Sequence, residues 1–512
     1  MPEVFDRPIF WVLIAGFALT FVFEALLVPR PRLSRPLRAY ALHAGVWGLA
    51  LAVLFGITGR AWFSGINVLC IWLLIVLVSN AKYHSLREPF VCADFEYFSD
   101  AVKFPRLYLP FFGIGKAIGL AVAFVVYVGC GLYFEAKDPQ ALGTSAVMIL
   151  ASAALLLAGH WRYLVPTFDA SADLQRWGLI ASLWTYFRAA RQPVDIAALG
   201  SPFATAAQNA PGAPLPDLVS VQSESFFDAR RLWPGVRQET LSTFDQLRGE
   251  ALQHGRLRVA AWGANTVRTE FSFLCGLQGD RLGVHRFNPY RLLARKGLPS
   301  IAACMKQRGY RTLCIHPYAG GFYGRDRVLP ALGFDEFIDV RAFDDSQKAG
   351  PFIGDCAVAE KVIALLEDPQ RTQPLYIHVV TMENHGPLHL EQVAETELPT
   401  WFDRPLEPGL RDLAPYLRHL ANADRMLAQL RTALLAAPRT TGLCFYGDHV
   451  PILPDVYKAL GEPDGDTEYF IWSNRAKTST PAQPLPVEQL GRQFVDSFEV
   501  PVANLASHAR VS

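Results

Sequence analysis

The sequence predicts an N-terminal α-helical transmembrane bundle of about five helices, followed by an α/β domain built on a mostly parallel sheet with helices on both faces. Three observations carry this reading. Of 512 residues, 51% are hydrophobic and only 19% charged, a balance unusual for a soluble chain. The long apolar runs are confined to residues 1–166, while the remainder has an ordinary globular composition. From Asp217 onward, short β-rich runs alternate with helical patterns, the alternation expected of a parallel sheet with crossover helices.

The apolar segments are Ile9–Val28, Tyr40–Ile57, Phe63–Val78, Ile118–Phe134 and Ala146–Leu164. Each approaches the ~20 residues that cross a hydrocarbon core, so five crossings are expected. The first lacks a small-residue cleavage site and reads as an anchor, not a removable signal. Trp161 and Tyr163 suit an interfacial aromatic belt. Arg30, Arg32, Arg35 and Arg38 follow the first segment, and positive-inside bias places them in the cytoplasm. The loop after the third segment sets Lys82, Arg87, Lys103 and Arg106 against Glu88, Asp94, Glu96 and Asp100, and is balanced.

Residues 167–216 are expected to hold an interfacial helix and a linker. Trp177, Leu179, Ile180, Leu183, Trp184 and Phe187 recur at helical spacing within Asp173–Arg191, too short an apolar face to span. Residues 197–216, rich in Ala, Pro and Gly, read as the linker. In the third part, 217–512, strands are expected at Leu218–Gln222, Arg256–Ala261, Thr312–His316, Leu375–Val380, Leu443–Tyr446 and Tyr469–Trp472. Helices are expected at Ser300–Arg308, Asp355–Glu367 and Leu413–Leu435. A net charge of +1 gives no reason to expect nucleic acid as a partner. The eight cysteines form no CxxC pair, which argues against a cysteine zinc site or redox motif, and for those of the five globular-part cysteines that lie in apolar strand-like runs a buried free thiol is expected.

Polar residues collect where the predicted strands end. The first ends in Gln222-Ser223-Glu224-Ser225, and the second leads to Asn265-Thr266. The third ends in His316, with Tyr323, Arg325 and Asp326 soon after. Two more lead into Glu383-Asn384-His385-Gly386-Pro387 and Tyr446-Gly447-Asp448-His449. Reactive groups of parallel sheets gather at such ends. Two carboxylates, a hydroxyl and an imidazole form a hard-to-borderline ligand set suited to Zn2+ or Mn2+. Taken singly, each has a plainer reading: Thr266 as a helix cap with Glu270 in an imperfect capping signal, Glu224 as a surface charge, His385 as a turn residue, Asp448-His449 as another cap.

As an ordered set, Ser-Glu224-Ser-Phe, Asn-Thr266-Val-Arg-Thr-Glu-Phe, His316 with Tyr323-Gly-Arg325-Asp, Glu-Asn-His385-Gly-Pro and Gly-Asp448-His449 resembles the lipoteichoic acid synthase and phosphoglycerol transferase family of the alkaline phosphatase and sulfatase superfamily. The resemblance covers residues 217–475 and implies an alkaline-phosphatase-like catalytic domain behind a five-helix membrane part. It implies one divalent metal, Mn2+ or Zn2+ with Mg2+ as a third option, held by Glu224, Thr266, Asp448 and His449. Thr266 would be the nucleophile, and His316, Tyr323, Arg325 and His385 would bind the head group. Tyr323 stands where the family often has Trp. The chain continues Val450-Pro451-Ile452-Leu453 after Asp448-His449, where the Gram-positive synthases carry a further polar residue.

The implied function is transfer of phosphoglycerol from phosphatidylglycerol to a cell-envelope glycan or polymer through a phospho-threonine intermediate. A metal-activated threonine, an arginine fork for phosphoryl oxygens and His316 or His385 as proton carrier suit that chemistry. A formylglycine sulfatase needs a CxPxR-type context, but Thr266 is followed by Val267-Arg268 and Cys275 by Gly276. The alternatives are a phosphoethanolamine transferase, a group usually rich in disulfides, and an inactive membrane-anchored lipid-binding protein. The resemblance also implies a multi-pass protein of the inner membrane with its catalytic domain on the periplasmic or extracellular side, against the arginine count for five crossings. Four crossings would reconcile the two.

Overall fold

The structure, a computed structural model, describes residues 7–95, 114–161, 164–204, 214–476 and 480–498. Tyr163, the loop charges Glu96, Asp100, Lys103 and Arg106, and residues 205–213 of the expected linker lie outside the described residues. The chain divides into two units, Met1–Pro193 and Val194–Ser512.

The first unit contains the apolar helices Pro8–Glu24, Leu37–Thr58, Ala61–Leu86, Ile114–Phe134 and Ala141–Trp161. Leu37–Thr58, Ala61–Leu86 and Ala141–Trp161 are long and apolar enough to cross a membrane, whereas Pro8–Glu24 has 17 residues. Small residues set how closely these helices approach. A Cβ on Gly48 would lie 2.5 Å from Ser152 Oγ, and one on Gly16 would lie 2.3 Å from the Trp47 ring, so a larger residue at either contact would force the facing side chain to shift.

The segment expected as one interfacial helix is two, Ala170–Trp177 and Leu179–Ala189. They are broken at Gly178, whose φ of 80° suits glycine. A buried ion pair explains the break. Arg35 donates to Glu24 at 2.6 Å, Glu24 accepts the Leu179 N–H at 2.9 Å, and a Cβ on residue 178 would collide with the Arg35 guanidinium. Trp177, Leu179, Ala181 and Tyr186 are buried within this unit.

The second unit is organised by strands β1 (Asp217–Ser223), β2 (Gln253–Arg258), β3 (Arg311–Ile315), β4 (Glu336–Ile338), β7 (Leu375–Val380), β8 (Thr441–Gly447), β9 (Thr467–Ser473) and β10 (Leu485–Pro486), with β5 (Lys348–Ala349) and β6 (Phe352–Ile353) forming a separate pair. The eight-stranded order is β10-β2-β9-β8-β1-β7-β3-β4. Only β9 runs antiparallel to its neighbours. β2 begins and ends three residues before the predicted Arg256–Ala261, so a loop, not a tight strand-to-helix turn, precedes Thr266.

β1, β7, β8 and β9 are buried along their whole length because both faces are covered. Alternate residues serve alternate cores. Val219, Val221, Phe445 and Phe470 join Phe244, Val358 and Leu427 on one face. Leu218, Tyr376, Cys444 and Tyr446 join Phe271, Ile301, Val328 and Leu490 on the other. Register pairs Gln222 with Val380 and Ser223 with Gly447, so the strands carrying Glu224, Thr381 and Asp448 end level with one another.

Candidate active site

Glu224, Thr266, Asp448 and His449 meet at the C-terminal edge of β1 and β8. Gly447 makes this approach feasible: a Cβ there would lie 1.9 Å from the Phe226 carbonyl oxygen. The turn after β1 is pinned to the β8 loop by the Ser225 N–H, which donates to Asp448 Oδ1 at 2.8 Å, and Ser225 Oγ donates to Glu224 Oε1 at 2.9 Å. The helix Thr266–Cys275 is tied in by Thr269 Oγ1, which donates to the Asp448 carbonyl at 2.9 Å.

Thr266 is the first residue of that helix, not its cap. Asn265 takes the cap position in left-handed conformation, φ 65°, and Thr266 turns its hydroxyl to Glu224 Oε2 at 3.5 Å. Glu270 is not a capping residue either. It is fully buried and accepts from Tyr290 Oη at 2.7 Å and Arg325 Nη2 at 2.6 Å.

The ligand atoms of Glu224, Asp448 and His449 lie within 4.8 Å of one another, all buried. His449 Nε2 is 3.5 Å from Glu224 Oε1 and 3.4 Å from Asp448 Oδ2. Burial and the Glu224 charge push Asp448 up to about 7, with His449 opposing. Burial alone would lower His449, but the Asp448 and Glu224 charges raise it. Asp448 Oδ2 and His449 Nε2 have no hydrogen-bond partner. Two buried carboxylates beside an imidazole, with one oxygen and one ring nitrogen unsatisfied, are the donor set a divalent cation completes.

The four expected head-group residues separate into two kinds. His316 follows β3, is 2% exposed, and has both ring nitrogens engaged: Nδ1 with the Val380 carbonyl at 3.0 Å, Nε2 with Arg325 Nη1 at 3.2 Å. Burial, then the Arg325 charge, lowers it to about 3, so the ring is neutral and Nε2 accepts. Arg325 directs Nε and Nη2 at Glu270, which occupies the fork expected for phosphoryl oxygens. Tyr323, at φ 55°, places its ring 5.4 Å from the Arg325 guanidinium carbon. His385 is only partly buried, and its Nδ1 donates to the Gly386 carbonyl at 2.7 Å, leaving Nε2 as the basic nitrogen.

A second buried polar group is only partly legible in the sequence. Glu383 accepts the Asp355 N–H at 2.7 Å, lies 2.8 Å from His419 Nδ1 and accepts from Asn422. His419 Nε2 is 3.0 Å from Glu391 Oε2. Thr381 Oγ1 accepts the Glu224 N–H at 3.0 Å, and the neighbouring Glu224 charge helps to raise Asp355, after burial and Glu383. Glu383 is legible as a strand-end residue, but nothing local marks His419 or Asp355 as its partners.

The second unit is thus a mostly parallel sheet with a threonine hydroxyl and an Asp-His-Glu cluster that could hold a metal ion at its C-terminal edge. The chain belongs to the sulfatase family, within the alkaline phosphatase superfamily, matched over residues 216–500, and is an enzyme of that superfamily. It is 28% identical over 451 residues to the capsular polysaccharide biosynthesis protein RkpI of Rhizobium meliloti (strain 1021), covering 83% of this chain and 80% of that one. It is 25% identical over 483 residues to a putative cyclic beta-1,2-glucan modification protein of the same organism, covering 86% and 74%. The integral membrane lipooligosaccharide phosphoethanolamine transferase A of Neisseria meningitidis shares the fold across 95% of both chains, with TM-score 0.57 at 13% identity.

Proposed function

We propose that the protein is a membrane-anchored, metal-dependent transferase that moves phosphoglycerol from phosphatidylglycerol to a cell-envelope glycan or polymer through a phospho-threonine intermediate on Thr266. The observation that carries this is the Thr266 hydroxyl, 3.5 Å from Glu224 Oε2 beside the unsatisfied atoms of Asp448 and His449. Relatives named for polysaccharide biosynthesis and glucan modification support a glycan acceptor.

Glu224, Thr266, Asp448 and His449 would hold one divalent ion, Mn2+ or Zn2+. Such an ion lowers the hydroxyl pKa and offsets phosphoryl charge. In the first step the Thr266 Oγ1–P bond forms and the bond from phosphorus to the diacylglycerol oxygen breaks. That oxygen takes up the proton released by Thr266. In the second step an acceptor hydroxyl attacks phosphorus, gives up its proton and frees Thr266. His385 Nε2 is assigned as the proton carrier, because His316 has no free nitrogen. Tyr323 and His385 would line the head-group site, with Arg325, engaged by Glu270 and His316, holding His316 and Tyr323 in place.

Residues 1–166 are assigned to the inner membrane, 167–216 to an interfacial element and linker, and 217–512 to the catalytic domain on the periplasmic or extracellular side. One of the four arginines that argue for the opposite side, Arg35, is neutralised by Glu24. The test is incubation with phosphatidylglycerol and an envelope glycan, followed by mass analysis of both products. Diacylglycerol with phosphoglycerol on the glycan is expected. Turnover only of phosphatidylethanolamine would replace the donor.

A further inference from the structure

A cavity of about 420 Å³ lies between the loop that follows His385 and the start of the helix Leu413–Ala436. That volume is within the range of small-ligand sites. Its polar wall is His389, Glu391, Gln392, Arg411 and Asp412, with Val393 among the apolar residues, and of these only Glu391, through His419, touches a group described above.

The charges of this wall are balanced, Glu391 by His419 and Arg418 and Arg411 by Glu395, so it offers no excess positive charge for an anion. Burial would raise Glu391, but hydrogen bonding and charge from His419, together with Arg418, hold it below the ordinary carboxylate range, so it is ionised. Arg411, the one guanidinium of the wall, already donates to Glu395 at 2.9 Å. The hydroxyls of a neutral ligand find acceptors in Glu391 and Asp412 and both donor and acceptor in Gln392.

The cavity is also linked to the loop that carries His385. Glu391 pairs with His419 at 3.0 Å, His419 pairs with Glu383 at 2.8 Å, and Glu383 stands two residues before His385. His389 is four residues beyond His385, so the two α-carbons are separated by at most about 14 Å.

We propose that this cavity is the acceptor subsite and takes a neutral saccharide through its hydroxyl groups. The proposal rests on the transfer reading above for its purpose, but its binding is measurable without any donor lipid. Asp412 makes no side-chain cap bond at the helix start, so Asp412→Asn and Gln392→Ala change the wall without removing a helix cap.

The experiment is calorimetric titration of the full-length protein in detergent with a neutral β-glucan oligosaccharide, with no phosphatidylglycerol present. Lipid cleavage with water as acceptor is measured in parallel. The wild type should bind the oligosaccharide, and each variant should bind at least tenfold more weakly with lipid cleavage unchanged. Absence of wild-type binding, equal binding by the variants, displacement of the oligosaccharide by glycerol phosphate, or a matching loss of lipid cleavage would each overturn the assignment. If the wild type binds the saccharide yet cleaves no lipid, the transfer reading fails and the subsite stands.

Discussion

Arg325 and Glu270 form a buried ion pair, Nη2 to Oε2 at 2.6 Å, one helical turn beyond Thr266. The same guanidinium donates through Nη1 to His316. Glu270 therefore links the helix that begins at Thr266 to Arg325 and, through it, to His316. Burial would raise its pKa, but the Arg325 charge and hydrogen bonds hold it low, so the pair is ionised at neutral pH.

Glu270→Gln leaves the Arg325 charge buried without a counter-charge. The loss should be on the order of 3 kcal/mol of stability, with a large fall in lipid cleavage. Glu270→Asp keeps the charge and should retain part of both. Urea unfolding midpoints and diacylglycerol release check this, and unchanged values for Glu270→Gln would contradict it.

The metal assignment predicts that Glu224→Ala combined with Asp448→Ala removes bound metal. Wild-type protein should carry one equivalent of divalent ion by elemental analysis, and its Tm should rise with added Mn2+. A ligand at a hundredfold excess over its Kd stabilises by about 2.7 kcal/mol. Full metal content in the double variant would sink the ligand set.

His419 supplies a pH dependence with a defined sign. Burial lowers its pKa, but Glu383 and Glu391 raise it overall, from 6.5 to about 9. A raised folded pKa means the pairing stabilises fully below 6.5 and is lost as pH rises through about 9. The effect should be on the order of 3 kcal/mol. Unfolding midpoints across that window should fall with rising pH in the wild type, and the fall should be flatter in His419→Gln. Parallel slopes would remove His419 as the cause.

Much of this was readable in the sequence, for reasons that differ by residue. Asp448 and His449 stood out because they follow a fully buried strand, where polar residues need a purpose. For Glu270 the sequence offers only the plainer alternative of a capping signal, because that pattern is local, while its partner Arg325 lies 55 residues away. His419 sits within the apolar periodicity of Leu413–Ala436 and looks like a core position; only the fold brings Glu383 to it. The break at Gly178 depends on Arg35 and Glu24, which are distant in sequence. The limits of β2 are set by pairing with β9, which runs from Gln253↔Ile471 to Leu257↔Thr467, and not by the apolar run toward Trp262.

Topology is tested by fusing alkaline phosphatase or green fluorescent protein after Ser512. The periplasmic assignment predicts active phosphatase and a dark fluorescent fusion. A fluorescent, phosphatase-inactive pair would put the domain in the cytoplasm and remove the envelope role.

The most direct measurement is peptide mass spectrometry of the full-length protein after incubation with phosphatidylglycerol and no acceptor. The account predicts a phosphoglycerol adduct on the peptide that contains Thr266, absent in Thr266→Ala, which should remain folded but cleave no lipid. An adduct on Thr269 or Cys275, or lipid cleavage that persists in Thr266→Ala, would contradict the claim that Thr266 is the nucleophile.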